Sequence, residues 1–594
     1  MSSVITITVL TALAGYGLWA LYFDKALKLN NNKNSNIFII LVLLAGAIIR
    51  MYSAANYYGH ETDMACFLGW SDLAYKDGIS QFYVSEGFHD YPPGYVYVMY
   101  LLGAVKNTLH LQNGMLWMFI KLPAIICDLI TAYLVYHISK KRFSKCISSV
   151  FALLLVLNPA VILNSSVWGQ VDSVLSMFCV LSIYLASEKK LVPSFFAFGL
   201  GILIKPQAMF VAPVLVYAVI EQIFLGGELD RSKFLKTVIG ALAAAAMVFV
   251  LFMPFGDTPM QGIQVVVKQY FSTIGQYNYM TLNAFNIYGA LGLNFSDLTP
   301  VASILGYLFI ALVIVYSAYV FFKNKGVAKY YLSAFVLVFG IFMLSVKMHE
   351  RYAFPCMFLL LFAFAAAPDK RKYFMYLLCS LSQFFNTAWV LFVYQTDINV
   401  YFKSPVIVVA SFINIALMIV FVYLTYRDAN EAIEISAVEK ATKNKTTGNI
   451  NTQNMTFRIS EKVQKITLFD ISAILIISVI YGCFAFYNLG NRFAPETEAI
   501  ITNNEITVDL GEEKEIAKSA YFLGARNLEE DRNLTFTFMD ENKNVVTEKV
   551  MDDGSVFTWN IDEDVNLNVR YIKLKTNSVP KEYDPTDLVY VKDL

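Results

Sequence analysis

ISSVFALLLVLNPAVILNSSVWGQVDSVLSMFCVLSIYLAS, residues 147–187, carries two apolar runs around one short polar turn. A helix needs roughly 17–25 apolar residues to cross a bilayer, so the stretch reads as two adjacent crossings. The turn between them, 164–172, is where the chain leaves the lipid. It holds Trp168, Gln170 and Asp172.

The pattern repeats along most of the chain. Of 594 residues 57% are hydrophobic and 15% charged, and the mean hydropathy is +0.52. Such a composition excludes a soluble enzyme. Spans are expected near 3–22, 36–53, 117–137, 147–163, 173–187, 191–204, 207–222, 236–254, 300–322, 331–346, 353–367, 373–394, 405–426 and 470–487. The spans 191–204 and 207–222 also read as half-helices broken at Lys205-Pro206. The first run has no small-residue cleavage motif and is expected to stay as a helix. The run 95–105 is too short to cross and is expected to lie at the surface.

Charge sets the orientation. Alternate loops read DKALKLNNNKN, SKKRFSKC, SEKK, GGELDRSKF, FKNKGVAK and PDKRK, and the positive-inside bias puts them in the cytoplasm. The opposite loops, 54–116, 164–172, 255–299, 347–352 and 395–404, are poor in Lys and Arg and hold nearly every unusual polar motif. Residues 488–594 contain 22 acidic and 12 basic side chains, against 24 and 34 in the rest. That acidic tail alternates in short strands (EITVDL, NLTFTF, VFTWNI, VRYIKLK) between turn-rich pieces, a β-sandwich pattern.

The fold class expected is therefore a polytopic α-helical membrane protein with about 13–14 transmembrane helices, joined to an extracytoplasmic all-β sandwich domain. The divisions are an extra N-terminal helix and loop (1–35), a membrane domain (36–426), a polar cytoplasmic linker (427–469), a last helix (470–487) and the sandwich (488–594). None of the seven cysteines lies in the tail, and no Cys/His cluster has metal-ligand spacing. No cofactor is expected; a divalent metal is possible but not indicated.

The outward loops carry the chemistry. HETD places Glu61 and Asp63 just beyond a membrane helix. In FHDYPPGY two prolines stiffen the backbone, so that Asp90 and Tyr91 can be held beside Asp63; a cap on the following helix is the plainer role for Asp90. Trp168 alone reads as an interfacial anchor, and Gln170 and Asp172 make that reading less complete. Lys205, followed by Gln207, is an ionisable residue at a break between apolar segments, a functional candidate with a snorkelling lysine as its rival. Asn283 and Asn286, among tyrosines, suit sugar hydroxyls or interface packing. KMHERYAFP gathers Lys347, His349, Glu350 and Arg351 in a loop otherwise poor in cations, as a phosphate cradle requires.

Carboxylates and a cationic cluster on one face fit sugar transfer from a lipid-linked phosphate. The phosphate is already an adequate leaving group. One carboxylate suffices to take the acceptor proton, contributing about 10²–10⁴-fold, and cations stabilise the departing charge. Single displacement inverts the anomeric centre.

HETD, DYPPGY, NPAVILNSSVWGQVD, GILIKPQ, LNAFNIYG and KMHERYAFP, in this order over roughly 36–426, resemble the GT-C superfamily of polyprenyl-phosphate-sugar-dependent glycosyltransferases. The likeness is to bacterial relatives of the GPI-anchor mannosyltransferases and, more distantly, to dolichyl-phosphate-glucose glucosyltransferases. The tail resembles galactose-binding-like jelly rolls. The resemblance implies Asp63 as general base with Glu61 beside it, Asp90 shaping the acceptor or sugar site, and His349, Glu350 and Arg351 near the donor phosphate. It implies a hexosyltransferase moving mannose or glucose, in the plasma membrane, acting on a glycan or lipid acceptor, with no nucleic-acid partner and a monomeric state. A protein O-mannosyltransferase and a lipid or sugar transporter are the alternatives.

Overall fold

The computed structural model describes residues 36–84, 88–225, 230–394, 404–443 and, in the tail, 497–499, 505–516, 519–522, 534–551, 560–562, 567–576 and 589–591. The expected helices at 3–22 and 470–487 lie outside the described residues. The chain is a polytopic helical membrane protein. Among the described residues seven helices are long and apolar enough to cross a membrane, from Ile37–Asn56 to Pro405–Glu431, and the bent pair Lys145–Val156 and Pro159–Trp168 makes an eighth. Four shorter apolar helices, Asp172–Ser187, Leu191–Ile204, Ala328–Leu344 and Pro355–Ala366, coincide with the remaining expected segments. The last described helix of the membrane part runs unbroken from Pro405 to Lys443, past the expected start of the linker at 427.

The first elements build the site. Helix α1 (Ile37–Asn56) ends at Tyr57, and a four-residue link leads to α2 (Glu61–Lys76). Pro93 occupies the first turn of α3 (Pro93–Leu109), where its missing N–H costs nothing. α2 and α3 pack as a hairpin, so the 95–105 run is the middle of a short helix outside the spans. Next come α4 (Asn113–Ser139) and α5 (Lys145–Val156), then a chain bend of 50° at Asn158-Pro159. Asn158 caps the second half by accepting from Ala160 N–H.

A buried ion pair secures this bend. Arg50 of α1 meets Asp128 of α4 at 3.0 Å, with both side chains essentially inaccessible. Arg50 also donates to the Val156 carbonyl at the end of α5, and Asp128 accepts from Ser165 beyond the bend. Removing one partner of such a pair costs about 3–5 kcal/mol, because the other charge is left buried alone.

Two further groups of polar contacts stand out. One joins the loops read as basic: Lys141–Glu188, Lys329–Glu221, Arg371–Glu431 and Lys372–Asp428. The other joins residues from the loops of the opposite set and is the site described below. The break at Lys205 is real: α6 (Asp172–Ser187) and α7 (Leu191–Ile204) pack together, Lys205 is extended (φ −153°), and the chain resumes as the span Pro206–Phe224. The second half is long enough to cross a membrane, the first is a shorter apolar helix, and Lys205 sits at the turn between them.

Two very short parallel strands, β1 (Thr281–Leu282) and β2 (Met348–His349), tie the 277–299 loop to the HER segment. The tail forms two four-stranded antiparallel sheets. Strands β3 (Thr497–Ala499), β10 (Val589–Val591), β5 (Ser519–Phe522) and β8 (Asn560–Asp562) make one. Strands β4 (Glu505–Ile516), β9 (Leu567–Thr576), β6 (Leu534–Met539) and β7 (Val545–Met551) make the other. The second sheet buries Phe536 and Phe538 on one strand and Ile572 and Leu574 on its neighbour, the alternation that the sequence carries, with Val508 and Val569 in the same cluster.

Candidate active site

Asp63 sits in the first turn of α2. His60, at the N-cap, accepts from the Asp63 backbone N–H (3.4 Å) and stacks flat on Trp168, ring centres 4.8 Å apart. The Asp63 oxygen Oδ2 accepts from Trp168 Nε1 at 2.6 Å and from Gln170 Nε2. Two turns of backbone make this clamp possible. Gly59 (φ +110°) presses against the Trp168 carbonyl, where a Cβ would come within 2.2 Å. Gly169 (φ +96°) lets the chain reverse between the two clamping side chains. Glu61 is the first residue of α2, and its side chain lies outside the described residues.

Gln170 faces both ways. While its amide N–H holds Asp63, its Oε1 accepts from Lys205 Nζ (3.0 Å) and the Tyr91 hydroxyl (3.2 Å). Lys205 also meets Asp172 at 2.7 Å, and Asp172 accepts in addition from Asn164. Lys205 is therefore not a snorkelling residue: its ammonium is drawn inward by a buried carboxylate. Arg351 lies over the Trp168 ring, 5.3 Å from its centre, pairs with Glu350 through Nη1, and stands 3.8 Å from Asp172. Its buried Nε–H has no hydrogen-bond partner.

Asp90 does not cap α3. The N-cap position is Pro92, without a side-chain cap. The strip 88–91 is pinned by its backbone instead: Phe88 O accepts from Trp70, His89 O from Gln269 and Tyr91 O from Tyr83. Asp90 is thereby held with Oδ2 toward the Tyr277 hydroxyl (3.4 Å) and a buried Oδ1 that has no partner.

Two cavities open here. The larger, about 520 Å³, is lined by Lys205, Gln207, Lys347, Tyr352 and apolar residues reaching Gly306 and Tyr307 on the span Pro300–Lys323. Tyr307 is 74% exposed, so this cavity reaches the outer surface of an apolar helix. The smaller, about 220 Å³, is lined by Asp63 and by Phe67, Trp70, Tyr279, Phe295 and Asn283. Asp90, Tyr91, Tyr277, His349 and Arg351 line both.

Protonation follows from this geometry. Burial works against the charge on Asp63, but His60, Arg351 and the two N–H donors outweigh it and hold the carboxyl well below its usual range. Burial, with the Asp63 charge, pushes Asp90 up to about 6 against the pull of Lys205 and Arg351. Burial lowers His60 to about 4 despite Asp63. Burial and then Arg351 lower His349 to about 3. His349 is thus neutral at pH 7; the cation that lines both cavities is Arg351, with Lys205 on the larger one.

The other expected residues divide by position. Gln207 and Lys347 line the larger cavity and Asn283 the smaller. Trp168, Gln170 and Asp172 line neither; they act on Asp63, Lys205 and Arg351. Asn286 is a structural residue. Its Oδ1 accepts from Tyr288 and Gly289 N–H, its Nδ2 donates to Phe342 O, and it borders neither cavity. Sequence reasoning missed Tyr277, which links Asp90 to His349 through an edge-on ring contact, and Asn164 behind Asp172. Asn164 lies within NPAVILNSSVWGQVD but gave no signal beside its charged neighbours, and Tyr277 stands in no charged or Pro-rich motif.

Residues 92–256 match the profile of the dolichyl-phosphate-mannose-protein mannosyltransferase family. The matched stretch includes Trp168, Gln170, Asp172 and Lys205 and ends before the HER segment. No curated protein matches the chain. The match covers less than a third of the chain, within a protein of many apolar helices, and shows likeness to a mannosyltransferase family over that stretch.

Proposed function

We propose that this chain is an inverting glycosyltransferase that moves a hexose, mannose before glucose given the family match, from a polyprenyl phosphate to a hydroxyl of a glycan or glycolipid acceptor on the extracytoplasmic side of the plasma membrane. The observation that carries the reading is the shared wall. Asp63 lines the smaller cavity, Lys205 the larger, and Arg351 both.

The larger cavity, reaching the outer surface of an apolar helix, suits the donor, with its phosphate against Arg351 and Lys205. The smaller cavity suits a sugar: rings to stack on, hydrogen-bonding groups such as Asn283 and Tyr279, and the Asp63 carboxylate. In the reaction the acceptor hydroxyl attacks the anomeric carbon, its proton passes to Asp63, and the bond to the phosphate oxygen breaks. The charge left on the phosphate is stabilised by Arg351 in a water-poor site, where such donors count most. No acid is needed for the leaving group.

The test is transfer by the purified protein from a panel of synthetic polyprenyl-phosphate sugars to glycan acceptors, read as acceptor mass. A hexose increment is expected. No transfer from any such donor, or transfer from a nucleotide sugar, overturns the reading. The family match favours a second acceptor, a Ser or Thr hydroxyl of a protein, and a Ser/Thr-rich peptide in the same panel decides between them.

A further inference from the structure

Lys121 lies on α4, one of the membrane-crossing helices, with its side chain fully buried. Its ammonium donates to three backbone carbonyls: Tyr57 O at 2.6 Å, Val167 O at 3.0 Å and Ser166 O at 3.3 Å. No carboxylate pairs with it among the described residues. A lysine buried this way needs a reason, because an ammonium without a counter-ion is costly away from water.

The three carbonyls belong to two segments. Tyr57 closes α1 and begins the link that carries His60 and Asp63. Ser166 and Val167 lead into Trp168, Gly169 and Gln170. One segment bears the carboxylate; the other bears both N–H groups that hold it. Their backbones also meet directly, where His60 N–H donates to Trp168 O at 3.2 Å. The Lys121 stem also packs against Gly169, where a Cβ would approach Cε to 3.1 Å. The cation thus stitches together the two strips whose side chains meet at Asp63 Oδ2.

We infer that Lys121 is a positioning residue for the reaction: it fixes the register between the strip that carries Asp63 and the strip that clamps it. The inference rests on the proposed role of Asp63. Three N–H donors spread over three carbonyls define one relative placement of the strips, which an apolar side chain of similar length does not. With the stitch gone, Trp168 and Gln170 move off Oδ2, and the carboxylate loses both its aim and the donors that favour its charge.

The test compares wild type with Lys121→Met, Lys121→Gln and Trp168→Phe in the transfer assay. Lys121→Met is expected to lower kcat about tenfold to a hundredfold, the scale for a misplacement of about 1 Å, with KM for the donor within about twofold. The acid limb of kcat should move to higher pH, a readout that loss of packing alone does not shift. Lys121→Gln, with two N–H donors, should fall between. If Lys121 acts through the clamp, Lys121→Met with Trp168→Phe should lose less than the product of the single losses. A folded Met or Gln variant with wild-type kcat and an unmoved acid limb overturns the inference, as does full additivity. Failure of both variants to fold also overturns it, since Lys121 then serves the fold. Absence of transfer by the wild-type protein instead removes the reading of Asp63 on which the inference stands.

Discussion

Replacing Asp63 by asparagine removes a charge and keeps a shape. Both donors of the clamp, Trp168 Nε1 and Gln170 Nε2, point to one oxygen, Oδ2. An asparagine can place its carbonyl oxygen there and turn its NH₂ toward the smaller cavity. The variant should therefore fold, and its site should keep its walls. What it cannot do is take the acceptor proton. General-base catalysis contributes about 10²–10⁴-fold, which is about 3–6 kcal/mol of barrier at about 1.4 kcal/mol per tenfold. Donor binding should hold or tighten, because Arg351 loses a competing anion while keeping Glu350. The assay is steady-state transfer from a polyprenyl-phosphate sugar, with kcat and donor KM measured separately and protein integrity checked by size-exclusion chromatography. The expected result is a kcat at least a hundredfold lower with donor KM unchanged or lower. A kcat within tenfold of wild type refutes the base assignment. A loss confined to KM refutes it too, because Asp63 then serves binding alone.

Arg351→Lys keeps a charge but loses the planar fork, so donor KM should rise about tenfold with smaller change in kcat; an unchanged KM removes Arg351 from the phosphate site. Asp90 titrates near 6, so as pH rises from 5 to 7 it gains a negative charge at the shared wall and kcat/KM for the donor should fall. Asp90→Asn should flatten that slope at its high end, and an unchanged slope assigns it elsewhere. The same raised pKa means the folded state holds its proton longer than the unfolded chain. The contribution of Asp90 to stability is then present below about pH 4 and lost as pH rises through about 6, a trend that thermal unfolding of wild type against Asp90→Asn can check. Lys205→Met leaves Asp172 buried with only Asn164 and the more distant Arg351. It should cost about 3–5 kcal/mol, seen as a lower Tm, and an unchanged Tm contradicts the buried pairing.

The helices were legible because the bilayer imposes one rule, length of apolar run, on every crossing. Each expected span within the described residues coincides with a helix, down to 191–204, whose 14 residues a length threshold alone would discard. The site was partly legible for a different reason. Charged and Pro-rich pieces are expensive beside lipid, so DYPP, WGQVD, KPQ and HER stand out from an apolar background. What such pieces touch is not written in any one of them. Gln170 and Asp172 read as ligand-binding residues but are a clamp and a counter-ion, because the partners that claim them, Asp63 and Lys205, come from other loops. Asn286 carried the residue type of a sugar ligand, yet its amide is used by a local turn. His349 looked cationic by residue type, and only burial beside Arg351 makes it neutral. Lys121 gave no signal, since one lysine in a long apolar helix looks like an end that snorkels, and its three carbonyl partners come from two distant segments.

The anomeric configuration of the product tests the account most directly, because it reports how the base and the cationic cradle act on one carbon. A donor of defined β linkage should yield an α-linked product, identified by NMR of the isolated acceptor, in a reaction that forms no covalent sugar–protein adduct. A β-linked product, or a sugar trapped on Asp63 or Asp90, would mean double displacement by two carboxylates and would contradict it.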